Sequence, residues 1–231
     1  MSARRLIVFA KRPDPGRVKT RMTPPLSADH AAALYAAMLA DVLATSALFA
    51  RSRDVEAVLA VDPPDACGVM ARDVPAPFCV VAQRGPDLSA RMAFATIEAA
   101  AAGCDRILLR GSDSPALEQG ALDEALDALE TADLVLVPDL DGGYSLVGLR
   151  RPAPGLFDHP MSTGRVLEDT LENARRLGLR ARRLAPRFDL DTAEDLELLA
   201  SARREGSAAS CPRTLAYLDR HGLWPGVPAA R

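Results

Sequence analysis

Two kinds of residue in this chain could do chemistry together: a cation cluster near the N-terminus and acids far from it in sequence. From Lys11 to Arg21 the chain runs Lys-Arg-Pro-Asp-Pro-Gly-Arg-Val-Lys-Thr-Arg, setting five cations (Lys11, Arg12, Arg17, Lys19, Arg21) against one acid, Asp14. Pro13 and Pro15 stiffen the turn and Gly16 supplies one permissive position, so backbone N–H groups can approach an anion. Such a loop suits a polyphosphate. It is not a Walker A loop, because Val18 stands where that motif needs glycine before its lysine, and no G-x-G-x-x-G occurs. A solvated basic loop is the plainer alternative, but the clustering is conspicuous in a chain of net charge −3. Lys19 and Arg21 are two apart, so an extended segment would point both the same way.

The acids fall in turns after apolar runs. Asp113 lies in Gly111-Ser-Asp-Ser-Pro115, directly after Ile107-Leu-Leu109. A carboxylate at the end of a strand is suited to hold a divalent ion between phosphates, although Asp113 or Ser114 could equally cap a helix. In Phe188-Asp-Leu-Asp-Thr-Ala-Glu-Asp-Leu196, Thr192 reads as a helix N-cap and Asp195 as its N3 acid. That leaves Asp189 and Asp191 unexplained, and either is a candidate for a second metal-bearing carboxylate. Pro138-Asp-Leu-Asp-Gly-Gly-Tyr144 carries a strong turn signal between two strands. Its paired glycines, Gly142 and Gly143, between Asp141 and Tyr144, also permit a nucleobase, sugar or acceptor to come close to the backbone. In Gln83–Arg91, Asp87 reads as a helix cap and Arg91, a turn inside, as facing a ligand. Met161-Ser-Thr-Gly164 is a weaker candidate, with Ser162 or Thr163 as an N-cap. The three histidines (His30, His159, His221) are isolated in sequence, and no Ser-His-Asp or Cys-His pattern favours a covalent intermediate.

The elements that must position these residues alternate. Strands are expected near 6–10, 55–61, 78–82, 106–110, 134–138, 144–149 and 180–184. Helices are expected near 27–50, 88–102, 119–130, 164–177 and 193–204, with a short terminal helix over 212–223. Apolar residues at helical spacing (Leu122, Ala125, Leu126, Leu129) contrast with the near-continuous run Val55–Val61. This alternation predicts an α/β fold with a mostly parallel sheet and helices on both faces. Ligands of such sheets bind beyond the carboxyl ends of the strands, where the cationic loop begins.

At 231 residues and 48% hydrophobic, the chain can bury a full core as one domain, with two smaller domains an open alternative. Its slight acidity argues against a general nucleic-acid binder. Cys67, Cys79, Cys104 and Cys211 lie far apart without a C-x-x-C pair, so buried free thiols in the cytoplasm are expected. The apolar run after Arg5 is cut off at Lys11, too short for a signal segment, and no apolar run approaches the expected length of a membrane span. Ser207–Ser210 reads as a linker. The last residues, with Pro225 and Pro228, are expected to be poorly ordered.

Taken in order, FAKRPDPGRVKTRM (9–22), GPDLSARM (85–92), GSDSPAL (111–117), DGGYSLVGLR (141–150), MSTGRVL (161–167) and FDLDTAEDL (188–196) resemble one group. It is the DUF2064 family of cofC-like glycosyltransferases, within the nucleotide-diphospho-sugar transferase (GT-A) superfamily. The resemblance covers roughly residues 5–200, with Ser112 where the family often has threonine and Ser145 where a second tyrosine is common. It implies a single Rossmann-like GT-A domain over residues 1–205 and a C-terminal extension over 206–231. Carried over by motif, Mg²⁺ (or Mn²⁺) would rest on Asp113 and Asp191, with Asp189 beside the latter. Lys11, Arg12, Gly16, Lys19, Arg21 and Arg91 would bind nucleotide phosphates, and Lys19, Arg21 and Asp113 would carry catalysis. Asp141, Gly142, Gly143, Tyr144, Ser162 and Thr163 would receive sugar or acceptor. The superfamily contains enzymes that move a nucleotidyl group, such as molybdenum-cofactor nucleotidyltransferases and phospholactate guanylyltransferase, and enzymes that move a sugar. The expected substrates are therefore a nucleoside triphosphate or a nucleotide-sugar, with a small-molecule acceptor. A non-catalytic nucleotide-binding module is the alternative of a different class.

Overall fold

A computed structural model describes residues 3–225, so the expectation for the end of the chain beyond Pro225, Pro228 included, lies outside the described residues. All seven expected strands are present: β1 (Ala3–Lys11), β2 (Glu56–Asp62), β3 (Cys79–Ala82), β4 (Cys104–Arg110), β5 (Leu134–Pro138), β6 (Tyr144–Leu149) and β7 (Ala181–Arg183). The helices are α1 (Ala28–Arg53), α2 (Cys67–Met70), α3 (Leu88–Ala101), α4 (Gln119–Ala128), α5 (Val166–Arg176), α6 (Asp195–Arg204) and α7 (Pro212–His221). The four-residue α2 has no counterpart in the sequence-based expectation. It is too short to show a period.

The strands form one sheet in the order β3-β2-β1-β4-β6-β5-β7. Every pairing is parallel except those of β6, which runs antiparallel to both β4 and β5. That reversal follows from the tight Asp139–Gly143 turn, since a hairpin can only join antiparallel strands. Alternation along the strands sorts the core. Leu6, Val8, Leu59, Leu108, Val135 and Val137 face α1 and α4, whereas Ile7, Val58, Ile107, Leu109, Leu134 and Leu136 face α3 and α5. Helices thus cover both faces, as expected of a buried parallel sheet.

A third layer lies outside α1. Leu34 and Met38 of α1 pack with Leu196 and Leu199 of α6 and Leu218 of α7. Asp41 of α1, fully buried, accepts hydrogen bonds from the Arg213 and Thr214 N–H groups at the start of α7, from the Thr214 hydroxyl and from the Arg213 guanidinium. One carboxylate therefore satisfies the orphan donors of a helix end and clamps α7 to the domain. Contrary to the expectation that no apolar run is long enough, the 26-residue α1 can by length and hydropathy cross a membrane. Two thirds of its apolar window is buried inside this fold, which accounts for the apolarity by packing on both sides.

The four cysteines are unpaired, but not all are buried: Cys104 and Cys211 are, Cys67 is half-buried and Cys79 is exposed on the edge strand β3. The histidines are not isolated in space. His30 Nδ1 lies 2.9 Å from the Tyr217 hydroxyl, with His221 stacked edge-on beside it, and His159 Nε2 lies 2.9 Å from the Thr170 hydroxyl.

Candidate functional site

Lys19 is the centre of the site. The chain leaves β1 at Lys11, turns through Arg12–Val18, and places Lys19 in the left-handed region (φ 48°) before a 3₁₀ turn over Thr20–Met22. A non-glycine residue there is strained and persists only where its surroundings fix it. Here they do. The Lys19 side chain is only 3% exposed, and its ammonium meets both Asp113 and Asp191, the latter at 2.8 Å. Arg21 reaches the second oxygen of Asp191 at 3.2 Å from the solvent side. Burial alone would lower the Lys19 ammonium, but Asp113 and Asp191 outweigh it and hold the pKa above the usual lysine value. For Asp191, burial acts upward and Lys19, with Arg21 and Lys11, pulls the carboxyl below its ordinary value. Lys19 and Arg21 thus converge on one acid, although the segment is helical rather than extended as expected. The left-handed residue aims Lys19 inward and leaves Arg21 on the rim.

The supports of this group come from three elements. Asp113 follows β4, and its carbonyl accepts from Leu190 N–H at 2.9 Å, which ties the two acid-bearing loops together. The Tyr35 hydroxyl of α1 accepts from the Lys11 N–H and shares a 2.8 Å hydrogen bond with Ser112, while its ring lies 6.0 Å from the Lys19 ammonium. Burial pushes the Tyr35 phenol up to about 12. Arg110, 1% exposed, donates to Ser46 Oγ and to the Ser114 and Leu117 carbonyls, and so fixes the loop that carries Asp113. Neither Tyr35 nor Arg110 was marked by sequence. Each sits in a largely apolar helix or strand with nothing beside it in sequence to point to the loop, and only the fold brings it there.

The other expected residues divide. Arg12 is held by Asp14 at 2.7 Å and lies 3.8 Å from Asp65, so it is not free in this state to meet a phosphate. Lys11 and Arg17 are exposed, and Gly16 (φ 73°) has open space around it. Asp87 caps α3 through Ala90 N–H as expected. Arg91 bonds Asp62 at 3.0 Å and the Gly85 carbonyl at 3.1 Å, so it braces the ends of β2 and β3. Gly142 (φ 92°) does need glycine, but for a different neighbour: a Cβ there would collide with the Gly164 carbonyl. The chain's own backbone fills that approach, and Leu167 N–H donates to the Gly142 carbonyl at 2.9 Å. Gly143 N–H donates to Asp141 Oδ1. The Tyr144 hydroxyl accepts from Thr170, and burial pushes it up to about 12. Ser162 and Thr163 are exposed and neither is the N-cap of α5. That position is Arg165, whose N–H donates to the Thr163 hydroxyl. Neither Asp113 nor Ser114 caps α4, whose N-cap is Glu118. Thr192 is likewise not the N-cap of α6. Glu194 is, and Asp195 reaches back to the Asp191 and Thr192 N–H groups and the Thr192 hydroxyl.

Asp189 does not join Lys19. It faces the β5–β6 turn, where oxygens of Asp139, Asp141 and Asp189 all lie within 4.8 Å of one another. Asp139 was passed over in the sequence, although Asp139-Leu-Asp141 and Asp189-Leu-Asp191 are the same triplet, a signal that could have found it.

The family model described as "Uncharacterized protein conserved in bacteria (DUF2064)" matches residues 45–163. A solved protein of Desulfovibrio desulfuricans, provisionally assigned as a nucleotide-diphospho-sugar transferase, is 32% identical over 95% of this chain and 98% of its own, with a TM-score of 0.78. A cytidylyltransferase of Leptospira borgpetersenii shares the fold at 13% identity over the whole of both chains, with a TM-score of 0.56. So does the 4-diphosphocytidyl-2C-methyl-D-erythritol synthase of Anaerococcus prevotii, at 10% identity over 87% of this chain and 96% of its own, with a TM-score of 0.54. No curated protein matches. The chain belongs to the DUF2064 family and has the fold of the nucleotide-diphospho-sugar transferases.

Proposed function

We propose that this DUF2064 protein is a metal-dependent transferase that moves a nucleotidyl group from a nucleoside triphosphate to a small phosphorylated or hydroxyl acceptor, with release of pyrophosphate. The observation that carries this reading is the buried Lys19 ammonium held between Asp113 and Asp191 beyond the ends of the strands. A lysine so placed is positioned in advance for a polyphosphate, with Arg21 and Lys11 on the rim. In the reaction an acceptor oxygen attacks the α-phosphorus, the bond to the bridging oxygen breaks, and that oxygen leaves on pyrophosphate. Lys19 and Arg21 would offset charge that gathers on the leaving group, while the site fixes the line of attack. An acceptor phosphate needs no base, which fits a site built from lysine, arginine and aspartate.

Mg²⁺ (or Mn²⁺) fits the donor set. Asp113 and Asp191 are hard oxygen ligands that already converge on one cation, the Lys19 ammonium. Bound there, the ion would supply charge neutralisation at the α-phosphate, without Asp189, which faces the β5–β6 turn. Arg21 and Lys19, paired with acid in this state, would turn to phosphate as their carboxylates are taken up.

Glycosyl transfer from a nucleotide-diphospho-sugar is the second reading, favoured by the name given to the 32% identical relative. In it the departing group is a nucleoside diphosphate, and Asp141–Tyr144 with Ser162 and Thr163 would receive sugar or acceptor. The number of cations around the loop favours the triphosphate. Incubation with each nucleoside triphosphate and then each nucleotide-sugar, with phosphorylated and hydroxyl acceptors, separates the two. Released pyrophosphate is the expected result; released nucleoside diphosphate alone would replace the first reading by the second. Residues 1–205 are proposed as the transferase domain and 206–231 as an extension. Four unpaired thiols suit a reducing compartment, and the cytoplasm is the proposed setting.

A further inference from the structure

Beside the Lys19 group lies an acidic cluster whose three members have been given no common role. Asp139 ends the β5 side of the β5–β6 turn, Asp141 sits at its tip, and Asp189 approaches from the irregular segment between β7 and α6. Their oxygens lie within 4.8 Å of one another. Three carboxylates so close repel strongly unless a cation or protons intervene. No lysine or arginine side chain forms an ion pair with any of them among the described residues. A second observation points to a ligand. Asp139 is only 9% exposed, and its Oδ1 is buried without a hydrogen-bond partner. An oxygen withdrawn from water in this way costs free energy unless something fills its place. Asp141 uses one oxygen to accept from Gly143 N–H, which fixes the carboxylate toward its neighbours.

We infer that Asp139, Asp141 and Asp189 form a second cation site, distinct from the Asp113–Lys19–Asp191 group, that takes a hard divalent ion such as Mg²⁺ or Mn²⁺. Three carboxylate oxygens are the donor set such ions choose, and thiol and imidazole ligands of softer metals are missing from the cluster. The site borders the Lys19 group through Asp189 and Asp191, two residues apart. Open positions on the ion would take an anionic or hydroxyl-bearing acceptor. That use rests on the transferase reading, whereas the site itself does not.

The test uses the full chain, free of nucleotide and stripped of metal with a chelator. In that state Asp113 and Asp191 are already paired with Lys19 and Arg21, so Mn²⁺ titration followed by the electron paramagnetic resonance of free Mn²⁺ reads the new site. The wild type is expected to bind one Mn²⁺ and to melt at a higher temperature with it. Asp139→Asn is expected to lose affinity by at least about tenfold, because one anionic ligand is gone, and to lose the Mn²⁺-dependent rise in Tm. Asp113→Asn is expected to keep both. Circular dichroism and the metal-free Tm show that each variant is folded, and Asp141→Asn repeats the test at the exposed turn. Wild type that neither binds nor is stabilised by Mn²⁺ overturns the inference, as does equal loss in Asp113→Asn and Asp139→Asn. If Mn²⁺ binds as expected but no nucleotide substrate turns over, the site stands and the transferase reading fails.

Discussion

The two acidic groups at the end of this sheet are a few residues apart in the fold and opposite in electrostatics. Around Lys19, every charge has a partner: a buried ammonium meets two carboxylates, and Arg21 covers Asp191. Around Asp139, three carboxylates face each other and a buried oxygen is left unpaired. The difference shows in the acids themselves, since Asp191 is pulled below its ordinary value by Lys19 although burial acts against it. Burial, then Asp189 and Asp141, push Asp139 up to about 8. Burial, then Asp141 and Asp191, push Asp189 up to about 7 against the pull of Lys19. A chain that can build a compensated group with a lysine, and leaves its neighbour without one, holds that neighbour ready for a cation from solution.

The comparison breaks most sharply if Lys19 is removed. Lys19→Met turns the compensated group into a second uncompensated one, so it is expected to destabilise the metal-free chain by about 2–3 kcal/mol in urea at neutral pH. That is less than the roughly 3–5 of a fully buried pair, because Asp113 and Asp191 are partly exposed and screened. The same variant is expected to weaken triphosphate binding far more than nucleoside binding in calorimetry. Equal losses for the two ligands would show that Lys19 does not meet phosphate.

The uncompensated group has the opposite sign. A carboxyl whose folded pKa is raised binds its proton more tightly in the native state, so stability is lost as pH climbs from the ordinary 3.8 towards about 8 for Asp139 and about 7 for Asp189. In chelator, the urea midpoint of the wild type is expected to fall across that window. Asp139→Asn is expected to flatten the slope and to be the more stable chain at its alkaline end, by about 1–2 kcal/mol. A wild-type midpoint that rises over the same range would mean that the three acids are not set against one another.

The smallest effect belongs to the rim. Arg21 is 68% exposed, so Arg21→Ala is expected to change stability by no more than about 0.5 kcal/mol. Its loss should appear instead as weaker, less salt-sensitive triphosphate binding. A larger change in stability would place Arg21 among the structural members of the group.

The sheet was legible because each strand is a short β-branched or leucine-rich run, and the helices because Leu122, Ala125, Leu126 and Leu129 and their like repeat at helical spacing. The reversal of β6 could not be read with the same ease. Its local pattern is that of its parallel neighbours, and only the turn before it sets its direction. Asp113, Asp191 and Lys19 were legible as partners through their place after strands and through family likeness. That Lys19 would lie on both acids was not, because a left-handed backbone at a lysine leaves no mark in composition. Asp139 escaped for a related reason. Its burial depends on β7 and the segment that follows, some fifty residues away. Thr192 and Thr163 read as caps because each does bond at a helix start, the Thr192 hydroxyl to Asp195, the first residue of α6, and the Thr163 hydroxyl to the N–H of Arg165, the N-cap of α5.

The contact between Gly142 and Gly164 has a mechanical meaning beyond its fit. With the Leu167 N–H held on the Gly142 carbonyl, the tip that bears Asp141 and the loop that bears Ser162 and Thr163 are fastened at two points. A side chain in place of Gly142 would therefore disturb both at once, pushing the Asp141 tip and the Ser162–Thr163 loop apart.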